Sequence, residues 1–138
     1  MLVKNFAGGV VFSEDKVLLL KNEKDEWVLP KGMMHQGELS DEVALKKVRE
    51  EAGVQAEIVS SAGQINYELS SITRQRPFYN KITWYIMKSL NENNMINESR
   101  PSVCGGFFKV EEAMSLINDN KDKSLLNLYF RKYKELAQ

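Results

Sequence analysis

Residues 32–54 read GMMHQGELSDEVALKKVREEAGV, and the fold turns on this stretch. Within it, SDEVALKKVREEAG (40–53) carries helix signals at both ends. Ser40 or Asp41 can cap the N-terminus, Asp41 and Glu42 fill the first turn, and Gly53 suits the stop. Val43, Ala44, Val48 and Ala52 fall on one stripe, the face such a helix buries. Ahead of it, MMHQGE is a loop in which Gly37 can take a positive φ, and Glu38 closes that loop. Glu50 and Glu51 end the helix. Adjacent carboxylates point about 100° apart around a helix, so both can reach one ion at its edge, with Glu38 completing the cluster from the loop. One turn earlier sit Lys46 and Lys47, positive charge where a cation would bind.

Upstream, AGGVVF (7–12) and KVLLLKN (16–22) are β-rich runs separated by the polar SEDK, which predicts a hairpin. EWVLPKG (26–32) is a short apolar piece stopped by Pro30 and Gly32. Downstream, VQAEIVSSAGQINYEL (54–69) reads as strand with a kink at Gly63, and NKITWYIMKSL (80–90) as another. Between them SSITRQRP (70–77) reads as a basic loop. GGFFKV (105–110) is a last strand and EEAMSLI (111–117) a short helix. KSLLNLYFRKYKEL (123–136) is amphipathic, with Leu125, Leu128, Tyr129 and Leu136 near one face. The expected order is β-β-α-β-β-β-α-α, an α+β mixed sheet flanked by helices.

With 138 residues the chain suits one domain, 1–138. Nineteen Lys and Arg balance 19 Asp and Glu, so no global field marks a nucleic-acid or membrane-surface binder, and an anionic ligand must be caught locally. Cys104 is the single cysteine, which excludes an internal disulfide and suits a reducing cytosol. The N-terminal apolar run is short and broken by two glycines, unlike a cleavable signal. No stretch approaches the roughly 20 apolar residues that cross a bilayer. The expected setting is cytoplasmic, the expected state a monomer or homodimer.

Oxygen ligands without His or Cys partners favour Mg²⁺ or Mn²⁺ over zinc. Such ions bridge to substrate phosphates and lower the pKa of an attacking water.

The spacing of Gly32, Glu38, Val48, Glu50, Glu51, Gly53 and Val54 resembles the Nudix hydrolase box: Gly, five residues, Glu, seven residues, Arg-Glu, an aliphatic, any residue, Glu-Glu, any residue, Gly, aliphatic. AGGVVF and WVLPKG resemble the family's first strand and its approach to the box. The likeness covers nearly the whole chain. Through LPKG, length and element order it is most similar to the small bacterial diadenosine tetraphosphate hydrolase branch. It implies an α/β/α sandwich with the box at 32–54, and divalent-metal-dependent hydrolysis of nucleoside diphosphates linked to another group by water attack at phosphorus. Glu50, Glu51 and Glu38, with the Gly32 carbonyl, would hold the metal. Many relatives add an acidic residue from the loop before the last strand; that loop offers Glu92 and Glu98, and Glu98 is the candidate.

Two positions depart from the pattern. The family's Arg is Lys46, which keeps the charge but loses the guanidinium fork. The family's first helix Glu, which joins the metal cluster or helps activate water, is Lys47. No one-residue slip repairs this, because both flanking spacings are already right. Lys47 shares a face with Glu50 and Glu51, and an ion pair with Glu51 is expected. One unit pair at ~4 Å and an effective dielectric near 20 is worth about 4 kcal/mol, which bounds the penalty on a metal. Lys47 then either weakens the metal site or contacts a phosphate directly.

Lys31 lies beside the box and can meet a phosphate. Arg74, Arg76 and Lys81, interleaved with Phe78 and Tyr79, can clamp phosphates and stack a base. Tyr67 and Trp84 read as sheet residues, His35 as a spacer in the box loop, and Met33 and Met34 as packing residues. The leading function is a hydrolase of dinucleoside polyphosphates, with nucleotide sugars, capped RNA and oxidised nucleoside triphosphates as other substrates of the same chemistry. The competing reading is a nucleotide-binding or sensor module with a degenerate box.

Overall fold

The computed structural model describes residues 2–60, 64–73, 76–90 and 104–136. The strands are β1 (Leu2–Ser13), β2 (Lys16–Lys21), β3 (Trp27–Val28), β4 (Lys31–Met33), β5 (Ala56–Ile58), β6 (Gln64–Thr73), β7 (Arg76–Ser89) and β8 (Gly105–Lys109). Helix α1 (Ser40–Ala52) follows β4, and α2 (Val110–Leu116) and α3 (Asn120–Leu136) follow β8. They form one mixed sheet with helices on both faces, the α+β sandwich expected.

β1 is the spine. It runs parallel to β7 in unbroken register from Leu2↔Phe78 to Phe12↔Lys88. Its other edge is divided: β4 takes Phe6–Gly8, and β2 takes Phe12 and Ser13. β7 is divided in the same way between β6 and β5. β2 carries β3 on one side of the ladder and β8 along most of its length. Where β1 changes partner from β4 to β2, the intervening chain must leave the sheet edge, and that fork is where the site forms.

Alternation along β1 and β7 sends side chains to two cores. Val10, Phe12, Ile82, Trp84 and Ile86 meet α2 and α3, where Phe12 stacks on Tyr133 at 4.7 Å and the Tyr129 hydroxyl donates to the Trp84 carbonyl at 3.2 Å. Ala7, Val11 and Met87 meet the α1 stripe of Val43, Ala44, Val48 and Ala52, all buried. This stripe is the one the sequence predicts.

Several expectations change. EWVLPKG splits into β3 and β4, so Gly32 is a strand residue paired with Ala7 rather than a stop, and Met33 ends that strand 45% exposed rather than packed. SSITRQRP is mostly strand: Ile72↔Pro77 and Thr73↔Arg76 continue the β6–β7 ladder past a register shift between Leu69 and Ser71. The stretch from Val54 yields a separate β5 ahead of β6, and Gly63 lies outside the described residues. On α3 the buried face is Leu125, Leu126, Tyr129 and Tyr133, while Leu136 is exposed. Helix α1 has Leu39 at its N-cap with no side-chain cap. Ser40 instead shares a hydrogen bond with the Tyr85 hydroxyl, tying the helix start to β7. Its other end is as expected: Gly53 adopts φ 65°, ψ 25°, and its N–H donates to the Arg49 carbonyl. Among the described residues no helix is long and apolar enough to cross a membrane.

Candidate active site

β4 brings the box to the fork. The Gly9 N–H donates to the Pro30 carbonyl at 3.1 Å and the Met34 N–H to the Asn5 carbonyl at 2.8 Å, which fasten both ends of β4 to β1. Gly32 is buried in this strand, and the stem of Lys47 lies on it. A Cβ at position 32 would stand 3.2 Å from Lys47 Cδ, so the absence of a side chain at Gly32 is what lets the lysine lie flat.

The Lys47 ammonium donates to Glu51 Oε1 at 2.7 Å, the ion pair expected from the spacing. Lys46 faces Glu50 at 3.8 Å. The Lys46–Glu50 pair is exposed and Lys47 is half-buried, and lysine preceding glutamate is the weaker helical orientation, so each pair stabilises the helix by only about 0.3–0.5 kcal/mol. The pairs fix where the charges rest without locking them there.

Glu38 is turned back on its own loop. Its Oε1 accepts the His35 N–H at 2.6 Å and contacts the His35 ring Nδ1 at 3.1 Å, while the Glu38 N–H donates to the His35 carbonyl. The backbone hydrogen bond from His35, helped by its side chain, holds the Glu38 carboxyl below the ordinary carboxylate value of 4.5. Gly37 makes the turn between them at φ 88°.

Two hollows flank the Lys47 stem. The larger, about 590 Å³, is lined by Lys21, Lys24, Lys31, Lys47, Glu23, Glu26, Glu51 and Cys104, with Leu29 and Pro30 in its wall. The smaller, about 210 Å³, holds His35, Glu38, Lys46 and Glu50 beside Gly32 and Lys47. The consecutive glutamates therefore open onto different hollows. The outer wall of the larger one is the β2–β3 loop, rigidified by Asn22: its Oδ1 accepts the N–H groups of Lys24 and Glu26, each at 2.9 Å, with Asp25 at φ 64° and Lys21 paired to Asp25 at 3.2 Å.

These donors do not fit the divalent metal expected at the box. Among the described residues no group of three or more His, Cys, Asp or Glu is placed to share an ion. Glu38 is committed to His35, Glu50 and Glu51 are separated by the Lys47 stem, and each faces an ammonium. The described residues do not build a resident divalent-metal centre.

Of the other residues singled out in the sequence, Lys31 lines the large cleft, half-buried, with its Nζ 6.0 Å from the centre of the Phe6 ring. Tyr79 and Lys81 lie on β7 opposite Val3 and Asn5 and line neither hollow. Arg76 opens β7 opposite Thr73. Arg74, Glu92 and Glu98 lie outside the described residues. The sequence reading missed Lys21 and Lys24. Their signal was the charged run KNEKDE between two strands, which becomes a wall of the site only once β2 and β4 share the edge of β1.

The chain is 29% identical over 111 residues, 78% of its length, to diphosphoinositol polyphosphate phosphohydrolase 3-beta of Bos taurus, covering 63% of that protein. It spans less than two thirds of the length of the curated relatives it matches. Among solved structures it is similar to the Ap4A hydrolase of C. elegans, with TM-score 0.68 at 18% identity over 96% of this chain and 98% of that one. It is also similar to the E. coli dihydroneopterin triphosphate pyrophosphohydrolase, with TM-score 0.64 at 12% identity over 93% and 97%. At these identities the structures establish the fold. The NUDIX domain profile matches residues 4–129, nearly the whole chain, and the chain belongs to that family.

Proposed function

We propose that this protein is a Nudix pyrophosphohydrolase acting on a nucleoside diphosphate linked to a second moiety, with dinucleoside polyphosphates such as diadenosine tetraphosphate as the leading substrates. The observation that carries this reading is the cleft of about 590 Å³ beside the box, whose charged lining is Lys21, Lys24, Lys31 and Lys47 with Glu23, Glu26 and the box carboxylate Glu51. A phosphate chain carries several negative charges at neutral pH, and Lys31 and Lys47, side by side in this groove next to the box, are the cations placed to meet it.

In this reading one domain spans residues 1–138 and the chemistry belongs to box residues 32–54. Water attacks a phosphorus atom, the P–O bridge breaks on its far side, and the leaving phosphate departs with the electron pair. Lys31 and Lys47 neutralise the charge that builds on the non-bridging oxygens. Glu51, once Lys47 turns to the phosphate, is left to accept a hydrogen bond from the attacking water, and Glu50 adds negative charge one residue away. Glu38 acts through the loop it closes, and Glu98, Arg74, Arg76, Tyr79 and Lys81 are further candidates for the substrate's distal part. Nudix hydrolases use divalent metal ions; magnesium or manganese would be the ion here, bound through phosphate. The protein would work in the cytoplasm, as a monomer or homodimer.

The test is turnover of diadenosine tetraphosphate, followed by separation of the nucleotide products, for the native chain and Glu51→Gln. Products from the native chain and their loss in the variant support the reading. Binding without products across a panel of nucleotide pyrophosphates would replace it with the second reading, a nucleotide-binding module. The Lys47–Glu51 ion pair at 2.7 Å is the observation that favours that alternative.

A further inference from the structure

The family's metal and this chain's donors disagree, and the disagreement has a definite shape. A divalent site resident in the free protein needs several carboxylates converging on one point. Here one carboxylate is latched to His35 and the other two open onto different hollows, each facing a lysine. The cation nearest to Glu51 is the ammonium of the chain's own Lys47, positioned by the bed at Gly32. Magnesium differs from calcium in needing few protein ligands: it keeps waters and is commonly bound through one or two carboxylates plus substrate phosphates.

We infer that in the free protein Lys47 takes the place of a resident divalent ion at the box. The ion enters only as part of a metal–polyphosphate complex, whose phosphate oxygens draw Lys47 away from Glu51. This rests on the phosphate-chain ligand of the preceding section. The exchange balances in charge. The free site pairs one ammonium with one carboxylate. The loaded site pairs the same ammonium with a phosphate oxygen, while the ion stays on its phosphate and the freed Glu51 carboxylate is left for the attacking water. It needs only a rotation of the Lys47 end, because the stem stays on Gly32 and the pair is weak enough to yield. Lys31, in the same cleft, supplies a second positive group for the phosphate that carries the ion. A charge reversal at Lys47 would convert the site to one that holds the ion by itself.

The experiment is equilibrium dialysis of manganese, read as protein-retained Mn²⁺ by its electron paramagnetic resonance. The native chain is compared with Lys47→Glu and with Lys47→Met, which keeps a stem over Gly32, each checked for native circular dichroism. The probes are Mn²⁺ alone and Mn²⁺ with methylenediphosphonate, a diphosphate analogue with an unhydrolysable bridge. The native chain should retain Mn²⁺ at least about tenfold more tightly with methylenediphosphonate than without. Lys47→Glu should retain Mn²⁺ alone about tenfold more tightly than the native chain, because it adds a carboxylate and removes an ammonium. Lys47→Met should lose affinity for the manganese–diphosphonate complex. The inference is overturned if the native chain binds Mn²⁺ alone as tightly as Lys47→Glu, or if methylenediphosphonate adds nothing to its retention. Manganese retained alone by a native chain that hydrolyses diadenosine tetraphosphate sinks this inference and leaves the hydrolase reading intact. Cooperative retention of the complex by a chain that hydrolyses nothing does the reverse.

Discussion

The two hollows beside Lys47 are made from neighbouring residues of one helix and differ in nearly every other respect. The larger is walled by strands and by a loop far away in sequence, and its charged lining is four lysines and three glutamates. The smaller is walled almost wholly by the box itself, residues 32–50, and two of its side chains are carboxylates, one already hydrogen-bonded within the loop. Local sequence is enough to build a hollow that looks inward on its own hydrogen bonds. A cleft able to receive a large anion required the fork in β1, where β4 and β2 divide one strand edge between them. The box is thus a hinge line between two environments, and Glu50 and Glu51 are not equivalent although they are adjacent.

The strongest way to break that comparison is to neutralise each glutamate in turn. Glu51→Gln should lower kcat on diadenosine tetraphosphate by about 10²–10³, the range of a group acting on the attacking water. Glu50→Gln should lower it only about fivefold, from the ~1 kcal/mol that one exposed charge contributes. Equal losses would mean that the hollows act as one site. Lys24→Ala, in the far wall of the large cleft, should raise KM about threefold and leave kcat unchanged. An effect on kcat would place the loop nearer the chemistry than its geometry suggests.

The smallest effect belongs to the other hollow. The Glu38 carboxyl is held below 4.5 by its hydrogen bonds with His35, so its latch stabilises the fold above about pH 4.5 and loses that contribution as the pH falls through the depressed value. Thermal melts of the native chain and Glu38→Gln should therefore differ at pH 6, and the difference should shrink as the pH is lowered beyond 4.5. A difference that stays constant as far into acid as the fold survives would show that the charge on Glu38 plays no part.

The box helix was legible because everything that defines it is local. The buried stripe of Val43, Ala44, Val48 and Ala52 has helical period, and Gly53 provides the left-handed stop. Its N-cap was not, since the Ser40 hydroxyl goes to Tyr85, 45 residues away, and no local pattern announces that competitor. The same holds for β4: Lys31–Met33 follows Pro30 and contains Gly32, and so reads as a stop until β1 offers it partners. SSITRQRP read as a loop because of its charges and proline, yet ladder pairing with β7 carries strand through Thr73 and again from Arg76. Within the site, Lys31 and the Lys47–Glu51 pair followed from spacing, whereas Lys21 and Lys24 depend on which strands share an edge. Tyr79 and Lys81, near the box in no local sense, line neither hollow.

Hydrolysis of diadenosine tetraphosphate with Mg²⁺, comparing the native chain with Lys47→Glu at equal protein and ion concentrations, decides what Lys47 does. If Lys47 is a working part of a site that takes metal with its phosphate ligand, the native chain turns over and Lys47→Glu gains nothing. A silent native chain beside an active Lys47→Glu would contradict the account, since it would make this lysine the residue that disarms the box.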